Sequence, residues 1–205
     1  MNQLEKIFQE NKDDGYFSLY AAYLSELLSA IAPKSVSDVA DCFLEAREGG
    51  ATIFFVGNGG SAATASHFAQ DLTEVGRKAS VKSFKTLSLT DNVAFLTAVG
   101  NDYGYDKIFS IQMAELFQPG DVLVAISASG NSPNVVEAAK YAKELKGKTV
   151  GLVGFDGGAL SGLCDYVIHA KSNRGEYGPV EDVHMILDHM ITSYLILKLS
   201  SAKEK

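Results

Sequence analysis

Apolar and polar residues follow one another along this chain in blocks that predict helices and strands in turn. Two amphipathic stretches, 17–31 and 35–48, are predicted as helices, with Pro33 between them and Gly49 at the end of the second. Short apolar runs bounded by turn residues then predict strands. These strands are expected at 52–56, 80–89, 122–127, 149–154 and 166–170.

The alternation predicts an α/β fold, a three-layer α-β-α sandwich with a five-stranded parallel sheet in flavodoxin-like order and extra N- and C-terminal helices. The chain shows no repeat and no linker, so residues 1–205 are predicted to form a single domain. The terminal helices carry more apolar surface than a small sheet needs, which predicts an interface in a homo-oligomer. The apolar residues expected at that interface include Leu187, Met190, Ile191, Tyr194 and Leu195.

Composition narrows the class of protein. The 205 residues are 46% hydrophobic and 21% charged, enough for a substantial core, and the net charge of −7 argues against a nucleic-acid partner. The start of the chain lacks a secretory signal, and Cys42 and Cys164 are too few for a disulfide framework, so we expect a cytoplasmic protein. The apolar stretch 183–199 is interrupted by charged and imidazole side chains, which predicts a buried or interface helix and no membrane partner.

The glycine-rich stretch 57–61, directly after the first strand, is the first candidate site. Its glycines let the backbone turn sharply, Ser61 is expected to cap the next helix, and the unpaired N–H groups there favour a phosphate or carboxylate. The stretch lacks the Gly-Lys-Ser/Thr ending of a P-loop and only approximates the dinucleotide fingerprint, with no acid about 20 residues later. We therefore expect no nucleotide and no redox cofactor.

A second loop of the same kind follows the strand at 122–127. Ser127, Ser129 and Ser132 place hydroxyl donors near a helix start, with Ser132 at the N-cap and Pro133 at the first helical position. An alternative is that these serines only satisfy the backbone of their own turn. Because both loops leave the carboxyl ends of parallel strands, where open α/β sheets bind ligands, the pattern favours a phosphate or phosphosugar.

Polar residues that interrupt two helices supply candidate chemistry. His67 and Asp71 are four positions apart, and Glu181 and His189 are eight apart, so each pair shares roughly one helical face. Two imidazoles and two carboxylates suit a borderline cation such as zinc. Taken singly, each is as readily explained as a solvated or hydrogen-bonded side chain, so the residues alone leave both interpretations open. His184 is expected to be a core or interface residue.

Taken together, these residues resemble the sugar isomerase domain family, and within it the bacterial phosphoheptose isomerases. The resemblance covers nearly the whole chain and is carried by 57–61, His67, 99–102, 120–123, 129–132 and 181–189. It implies an aldose–ketose isomerase that converts sedoheptulose 7-phosphate, in a homotetramer with active sites at subunit interfaces. The residues implied to contact the substrate are Asn58, Gly59, Gly60, Ser61, Asn101, Asp102, Ser127, Ser129, Ser132 and Glu181.

The resemblance also implies a zinc ion held by His67, Asp71, Glu181 and His189, with Asp71 as the base and His189 as the acid. The family pattern has glutamate at position 71 and glutamine at position 181. Aspartate is shorter, which retracts the base, and a carboxylate at 181 adds negative charge that tightens a divalent cation but lowers its Lewis acidity. The alternative is a non-catalytic phosphosugar-binding or partner-binding module, although such a module would need neither imidazole.

Overall fold

A parallel sheet of five strands forms the centre of the molecule, in the order β2-β1-β3-β4-β5. The computed structural model describes residues 1–202, and residues 11–14 within it only by their backbone. The three-layer fold class and the flavodoxin-like order are confirmed, and β1, β3 and β5 have the predicted bounds. The strands are β1 Thr52–Val56, β2 Lys85–Ser88, β3 Val122–Ser127, β4 Lys148–Gly154 and β5 Tyr166–Ala170.

Helices cover both faces of the sheet. In chain order they are α1 Gln3–Ser29, α2 Pro33–Gly49, α3 Gly60–Lys78, α4 Val93–Asp102, α5 Ser110–Leu116, α6 Pro133–Glu144, α7 Gly158–Leu163 and α8 Tyr177–Ser201, with a short 3-10 helix at Tyr105–Lys107. Alternate residues of β1 point to opposite faces: Ile53 and Phe55 pack with α1, α2, α3 and α8, whereas Phe54 and Val56 pack with α4 to α7. Strands covered on both faces explain the continuous apolar runs in the sequence.

The second strand is shorter than predicted, because Lys85–Ser88 replaces the expected 80–89. Ser80 has a left-handed backbone with φ of 52°, which ends α3 in a turn. Ser83 then donates a hydrogen bond to the Thr73 carbonyl at 2.6 Å and holds the chain against α3. Residues 80–84 therefore lie against α3 and do not pair with β1, whose pairing with β2 begins at Lys85.

The first helix begins at Gln3, well before the predicted residue 17. Asn2 Oδ1 accepts a hydrogen bond from the Glu5 amide at 2.9 Å, and Glu5 Oε2 accepts one from the Asn2 amide at 2.8 Å. This capping box satisfies donors at the helix start, where apolar periodicity gives no signal. The sequence analysis also predicted no element between residues 89 and 122, where the structure has α4, the 3-10 helix and α5.

Part of the interface prediction for α8 is wrong. Leu187, Ile191 and Leu195 are at most 1% exposed and pack in the core of this same chain, because this face of α8 lies on the sheet layer. Met190 and Tyr194 remain about half exposed, at 49% and 45%. The other exposed large apolar residues of α1 and α8, within the described side chains, are Phe8, Phe17, Tyr177 and Leu197. No helix within residues 1–202 has the length and apolarity required to cross a membrane.

Glu176 attaches the start of α1 to the start of α8. Its carboxylate is 1% exposed and accepts hydrogen bonds from the Gln3 amide at 2.6 Å, the Tyr23 hydroxyl at 2.6 Å and the Asn173 amide at 3.0 Å. Burial alone would raise the pKa of Glu176, but the hydrogen bonds from Tyr23 and Asn173 outweigh it and hold the pKa below its ordinary value. The ionised carboxylate therefore stabilises the fold.

Replacing Glu176 with glutamine is expected to lower the free energy of unfolding by about 1–3 kcal/mol, because buried donors lose a charged acceptor. The carboxylate contribution is fully present above its unfolded pKa of about 4.5 and is lost as the pH falls through the lower folded value. In urea unfolding, the free energy of unfolding of Glu176→Gln should lie below that of the unmodified protein by a constant amount above about pH 5. The difference should become smaller in acid. Exposed Glu10→Gln is the control, and a Glu176→Gln protein as stable as the unmodified one at pH 7 would contradict this role.

Candidate active site

The β1–α3 and β3–α6 loops lie side by side and form a cavity. Strands β1 and β3 pair in parallel, with Ile53 opposite Val122, so both loops emerge at the carboxyl edge where the strand order reverses. The cavity has a volume of about 130 Å³, and we call it the cradle. Its polar lining residues are Asn58, Ser61, Ser127, Ser129, Ser132, Tyr177 and Glu181. The structure therefore brings the two predicted loops together.

The β1–α3 loop enters its helix through glycine. Gly59 occupies the N-cap position with a φ of 55°, a conformation that favours glycine, and α3 begins at Gly60. The predicted cap at Ser61 is therefore wrong, because Ser61 already lies in the first turn. No side-chain cap bond is present at this helix start within the described residues. The buried Ser61 side chain lines the cradle instead.

The β3–α6 loop has the predicted helix start, with Ser132 at the N-cap and Pro133 in the first turn. The Ser132 hydroxyl, however, makes no cap bond within the described chain and lies 3.1 Å from Ser127 Oγ. Ser129 Oγ accepts a hydrogen bond from the Asn131 amide at 3.2 Å and lies 3.4 Å from Ser127 Oγ, so it serves its own turn and also faces the other serines. Ser127 and Ser132 thus keep hydroxyl groups directed at each other on the cradle wall.

An amide pair connects the two loops. Asn58 and Asn134 exchange hydrogen bonds through their side chains, both at 2.8 Å, and the Tyr105 hydroxyl donates to Asn58 Oδ1 at 3.1 Å. The sequence analysis missed Asn134 and Tyr105; only the polar Asn134 at the start of an otherwise apolar helix face was a signal. Asn101 and Asp102 lie exposed at the end of α4, joined by a 2.7 Å hydrogen bond, and do not line the cradle.

Glu181 lies where the two helices α3 and α8 begin. A Cβ atom at Gly60 would be 2.3 Å from Glu181 Oε2, so the glycine is required for this close approach. Burial, and then the negative charge of Asp182, raises the pKa of Glu181. The structure therefore places Glu181 in the cradle, next to the first residue of α3.

His67, Asp71, Asp188 and His189 form a second polar group, which we call the donor cluster. Their nitrogen and oxygen ligand atoms lie within 4.8 Å of one another. Asp71 Oδ2 is 3.5 Å from His67 Nε2 and 4.0 Å from His189 Nε2. The sequence predicted Glu181 for this set, whereas the structure places Asp188 beside His67, Asp71 and His189, seven positions later and on the same helical face.

Two side chains beside or within the donor cluster are fully buried. Asp188 is 0% and His184 is 1% exposed, and neither has a hydrogen-bond partner among the described residues. Burial, and then the negative charge of Asp71, raises the pKa of Asp188 to about 7. Burial lowers the pKa of His184 to about 4, although the nearby Val153 carbonyl opposes the effect. His184 is thus the core residue that the sequence predicted.

The cradle and the donor cluster lie on the same pair of helices. Gly60 meets Glu181 near the helix starts, and seven positions later on each helix His67 meets Asp188. Helices α3 and α8 therefore run in the same direction. At a rise of 1.5 Å per residue, the donor cluster lies about 10 Å further along the helices than the cradle.

The donor cluster suits a divalent metal ion. Imidazole nitrogen and carboxylate oxygen are zinc ligands, and tetrahedral bonds of about 2.1 Å place ligand atoms about 3.4 Å apart. The measured 3.5 Å and 4.0 Å separations around Asp71 are close to that value. The unpaired oxygens of Asp188 could serve as further ligands, and the side chains of His67 and His189 are 41% and 54% exposed, which leaves one side open.

The buried His184 predicts how stability depends on pH. The unfolded chain binds a proton near pH 6.5 whereas the folded chain does so only near 4, so the free energy of unfolding falls as the pH falls between these values. The scale is about 1.4 kcal/mol per pH unit. Asp188 acts in the opposite sense over much of this range, so the effect is isolated by comparing unmodified protein with His184→Leu.

Denaturant unfolding between pH 7 and 4 should show that His184→Leu loses less stability in acid than the unmodified protein. The matched control is His169→Gln, which removes a half-buried imidazole on the edge strand β5. Equal acid sensitivity in the His184→Leu and unmodified proteins would contradict the burial of a neutral imidazole.

Comparison with known proteins agrees with this arrangement. A sequence profile of the SIS domain matches residues 16–154. The phosphoheptose isomerase of Aliarcobacter butzleri is 42% identical over 158 residues, which are 77% of this chain and 82% of that protein. The structure of phosphoheptose isomerase GmhA from Neisseria gonorrhoeae matches with a TM-score of 0.78 at 32% identity, covering 88% of this chain and 94% of that one. For a phosphoheptose isomerase from Francisella tularensis the TM-score is 0.80 at 28% identity, covering 96% and 100%.

Proposed function

We infer the function of this chain from its family, because it belongs to the SIS domain proteins and, within them, to the phosphoheptose isomerases. The proposed reaction is the aldose–ketose isomerisation of sedoheptulose 7-phosphate to a heptose 7-phosphate. We assign the whole of residues 1–205 to this unit, since α8 lies beyond the matched 16–154 but packs on α3 and completes both polar sites. The reaction needs no nucleotide and no redox cofactor, since it only moves protons.

The single observation that carries this proposal is the spacing of the cradle and the donor cluster. Single bonds of about 1.5 Å with angles near 111° advance about 1.25 Å each, so the eight bonds from phosphorus to C1 of an extended heptulose phosphate span about 10 Å. This matches the distance between the two sites along α3 and α8. A phosphate held at the cradle would place C1 and C2 beside Asp71 and His189.

The cradle would hold the phosphate through helix N-terminal amides at Gly59 and Gly60 and through hydroxyls at Ser61, Ser127 and Ser132. Glu181 and Asn58 face the same cavity and would accept or donate to sugar hydroxyls. Ser129, which is used by its own turn, would assist through the backbone of the loop. Asn101 and Asp102 join the substrate contacts only if α4 moves toward the cradle.

Proton transfer is assigned to the donor cluster. Asp71 would remove the proton from C1 and return it to C2, while His189 would protonate the C2 carbonyl oxygen and then accept a proton from the C1 hydroxyl. The intermediate is an enediol, and the number of protons is conserved. A zinc ion would polarise the carbonyl if it were held by His67, Asp71, His189 and a further carboxylate. The exposed faces of His67 and His189 leave room for the substrate.

Loss of either transfer group is expected to reduce turnover of sedoheptulose 7-phosphate by roughly 10²-fold or more, as is usual for a general acid or base. The variants are His189→Ala and Asp71→Asn, assayed by aldose–ketose interconversion beside a panel of shorter sugar phosphates. Asp71→Glu should retain activity, because it keeps the carboxylate and extends its reach. Exposed Glu144→Gln on α6 is the control, and an absence of turnover in the unmodified protein on every sugar would instead favour a binding module.

A homo-oligomer, with four chains, belongs to the same proposal. It is supported by the exposed apolar residues of the terminal helices and by a groove of about 410 Å³ between α1, α2 and α8. The groove is lined on the α8 side by Met190 and Tyr194. A cytoplasmic location is proposed with it, since Cys42 and Cys164 are free thiols, as a reducing compartment allows.

Light scattering at micromolar concentration should give four chain masses for the unmodified protein. Met190→Lys places a charge in the groove and is expected to lower the measured mass, because burying an unpaired ammonium is unfavourable. Lys140→Glu on the exposed face of α6 should leave the mass unchanged. A single-chain mass for the unmodified protein would refute the assembly.

A further inference from the structure

Asp188 is the one carboxylate of the donor cluster that is buried without a hydrogen-bond partner among the described residues. Its side chain is 0% exposed, and both oxygens lack a hydrogen-bond partner there. A buried carboxylate without a partner destabilises a fold unless a positive group compensates it. Its oxygen lies among the ligand atoms of His67, Asp71 and His189, all within 4.8 Å of one another. The space that Asp188 faces is therefore suited to a cation.

The side chains around Asp188 do not supply that positive charge. Asp71 adds a second carboxylate, and its ion-pair contacts are with the imidazoles of His67 and His189. Among the described residues, no lysine or arginine lies within ion-pair distance of Asp71 or Asp188. The remaining neighbour on the same helix, His184, is buried and also unpartnered. Two carboxylates thus meet with no permanent cation between them.

Glu181 is not among the side chains whose ligand atoms lie within 4.8 Å of one another. Its carboxylate lies against Gly60 at the start of α3, in the cradle, about two helical turns before Asp188. The structure thus separates two acidic residues of α8 that helical spacing alone does not distinguish, because they are seven positions apart.

We propose that Asp188 is a direct ligand of a divalent metal ion of the zinc class, together with His67, Asp71 and His189, and that Glu181 remains a cradle residue. This inference deepens the proposed function and rests on it for the role of the site. The set has two neutral imidazoles and two carboxylates, so a divalent ion is neutralised by its ligands. Zinc binding then also compensates the buried charge of Asp188, so it stabilises the folded chain.

Zinc affinity of the full chain, measured by chelator competition after metal removal, tests the proposal. Asp188→Leu is expected to bind zinc at least tenfold more weakly than the unmodified protein, and Asp188→Asn to bind it more weakly as well. Glu181→Ala should keep the unmodified affinity, as should Asp182→Asn, which removes an exposed carboxylate on the same helix. Circular dichroism confirms that each variant is folded.

Thermal unfolding gives a readout that is independent of activity. Zinc at one fixed concentration should raise the unfolding temperature of the unmodified protein and of Glu181→Ala, and should raise that of Asp188→Leu by less. Without metal, Asp188→Leu should be at least as stable as the unmodified protein, because it removes an unpaired buried carboxylate. Unchanged zinc affinity in both Asp188 variants, or a loss confined to Glu181→Ala, would overturn the proposal, as would an unmodified protein that binds no zinc.

Turnover of sedoheptulose 7-phosphate, measured in parallel, separates this inference from the proposed function. Turnover by an unmodified protein that binds no zinc would overturn the ligand role of Asp188 and leave the isomerase intact. Zinc binding that depends on Asp188, without turnover on any sugar phosphate, would support the ligand role and refute the isomerase.

Discussion

The parallel packing of α3 on α8 is the contact on which the candidate site depends. Both helices begin at the carboxyl edge of the sheet, so their first residues form one wall of the cradle, and their third and fourth turns carry the donor cluster. The absence of a side chain at Gly60 leaves room for the Glu181 carboxylate beside the start of α3. The distance between phosphate and reacting carbons is thereby fixed by helix geometry rather than by flexible loops.

The same packing buries polar groups that a stable core would not include. Asp188 and His184 lie on the face of α8 that packs inward, and within the described chain neither has a hydrogen-bond partner. Their pKa values move in opposite directions, since burial disfavours the charged form of each. Polar groups that reduce stability in this way are typical of functional sites, where charge is arranged for a ligand rather than for the fold.

Much of the fold could be predicted from the sequence because buried parallel strands are continuous apolar runs. Strands β1, β3 and β5 have this signal, the two cradle loops follow β1 and β3 directly, and right-handed crossovers limit the possible strand orders. The start of α1 could not be predicted in this way, because a capping box at Asn2 and Glu5 fixes it in a polar stretch. Strand β2 is shorter than predicted because Ser80 has a left-handed backbone, and the pattern of apolar and polar side chains gives no sign of that conformation.

The site was predicted at the level of loops and helices and less well at the level of single side chains. Helical spacing brought His67, Asp71 and His189 together, but it allowed both Glu181 and Asp188 on the same face. Only the contact with Gly60 distinguishes them, and that contact depends on how two helices approach each other in space. Ser61 and Ser132 show the same limit, because their positions were predicted within a turn while their hydrogen bonds were not.

The central claim is that the cradle and the donor cluster act on one substrate. Deuterium uptake at C1 and C2 in deuterated water, measured by NMR on the unmodified protein, tests it most directly, since enediol formation exchanges a carbon-bound proton even when the net equilibrium hides turnover. We expect deuterium uptake into sedoheptulose 7-phosphate and far slower uptake into sedoheptulose, which lacks the phosphate proposed to bind in the cradle. Equal uptake into both sugars, or none into either, would contradict it.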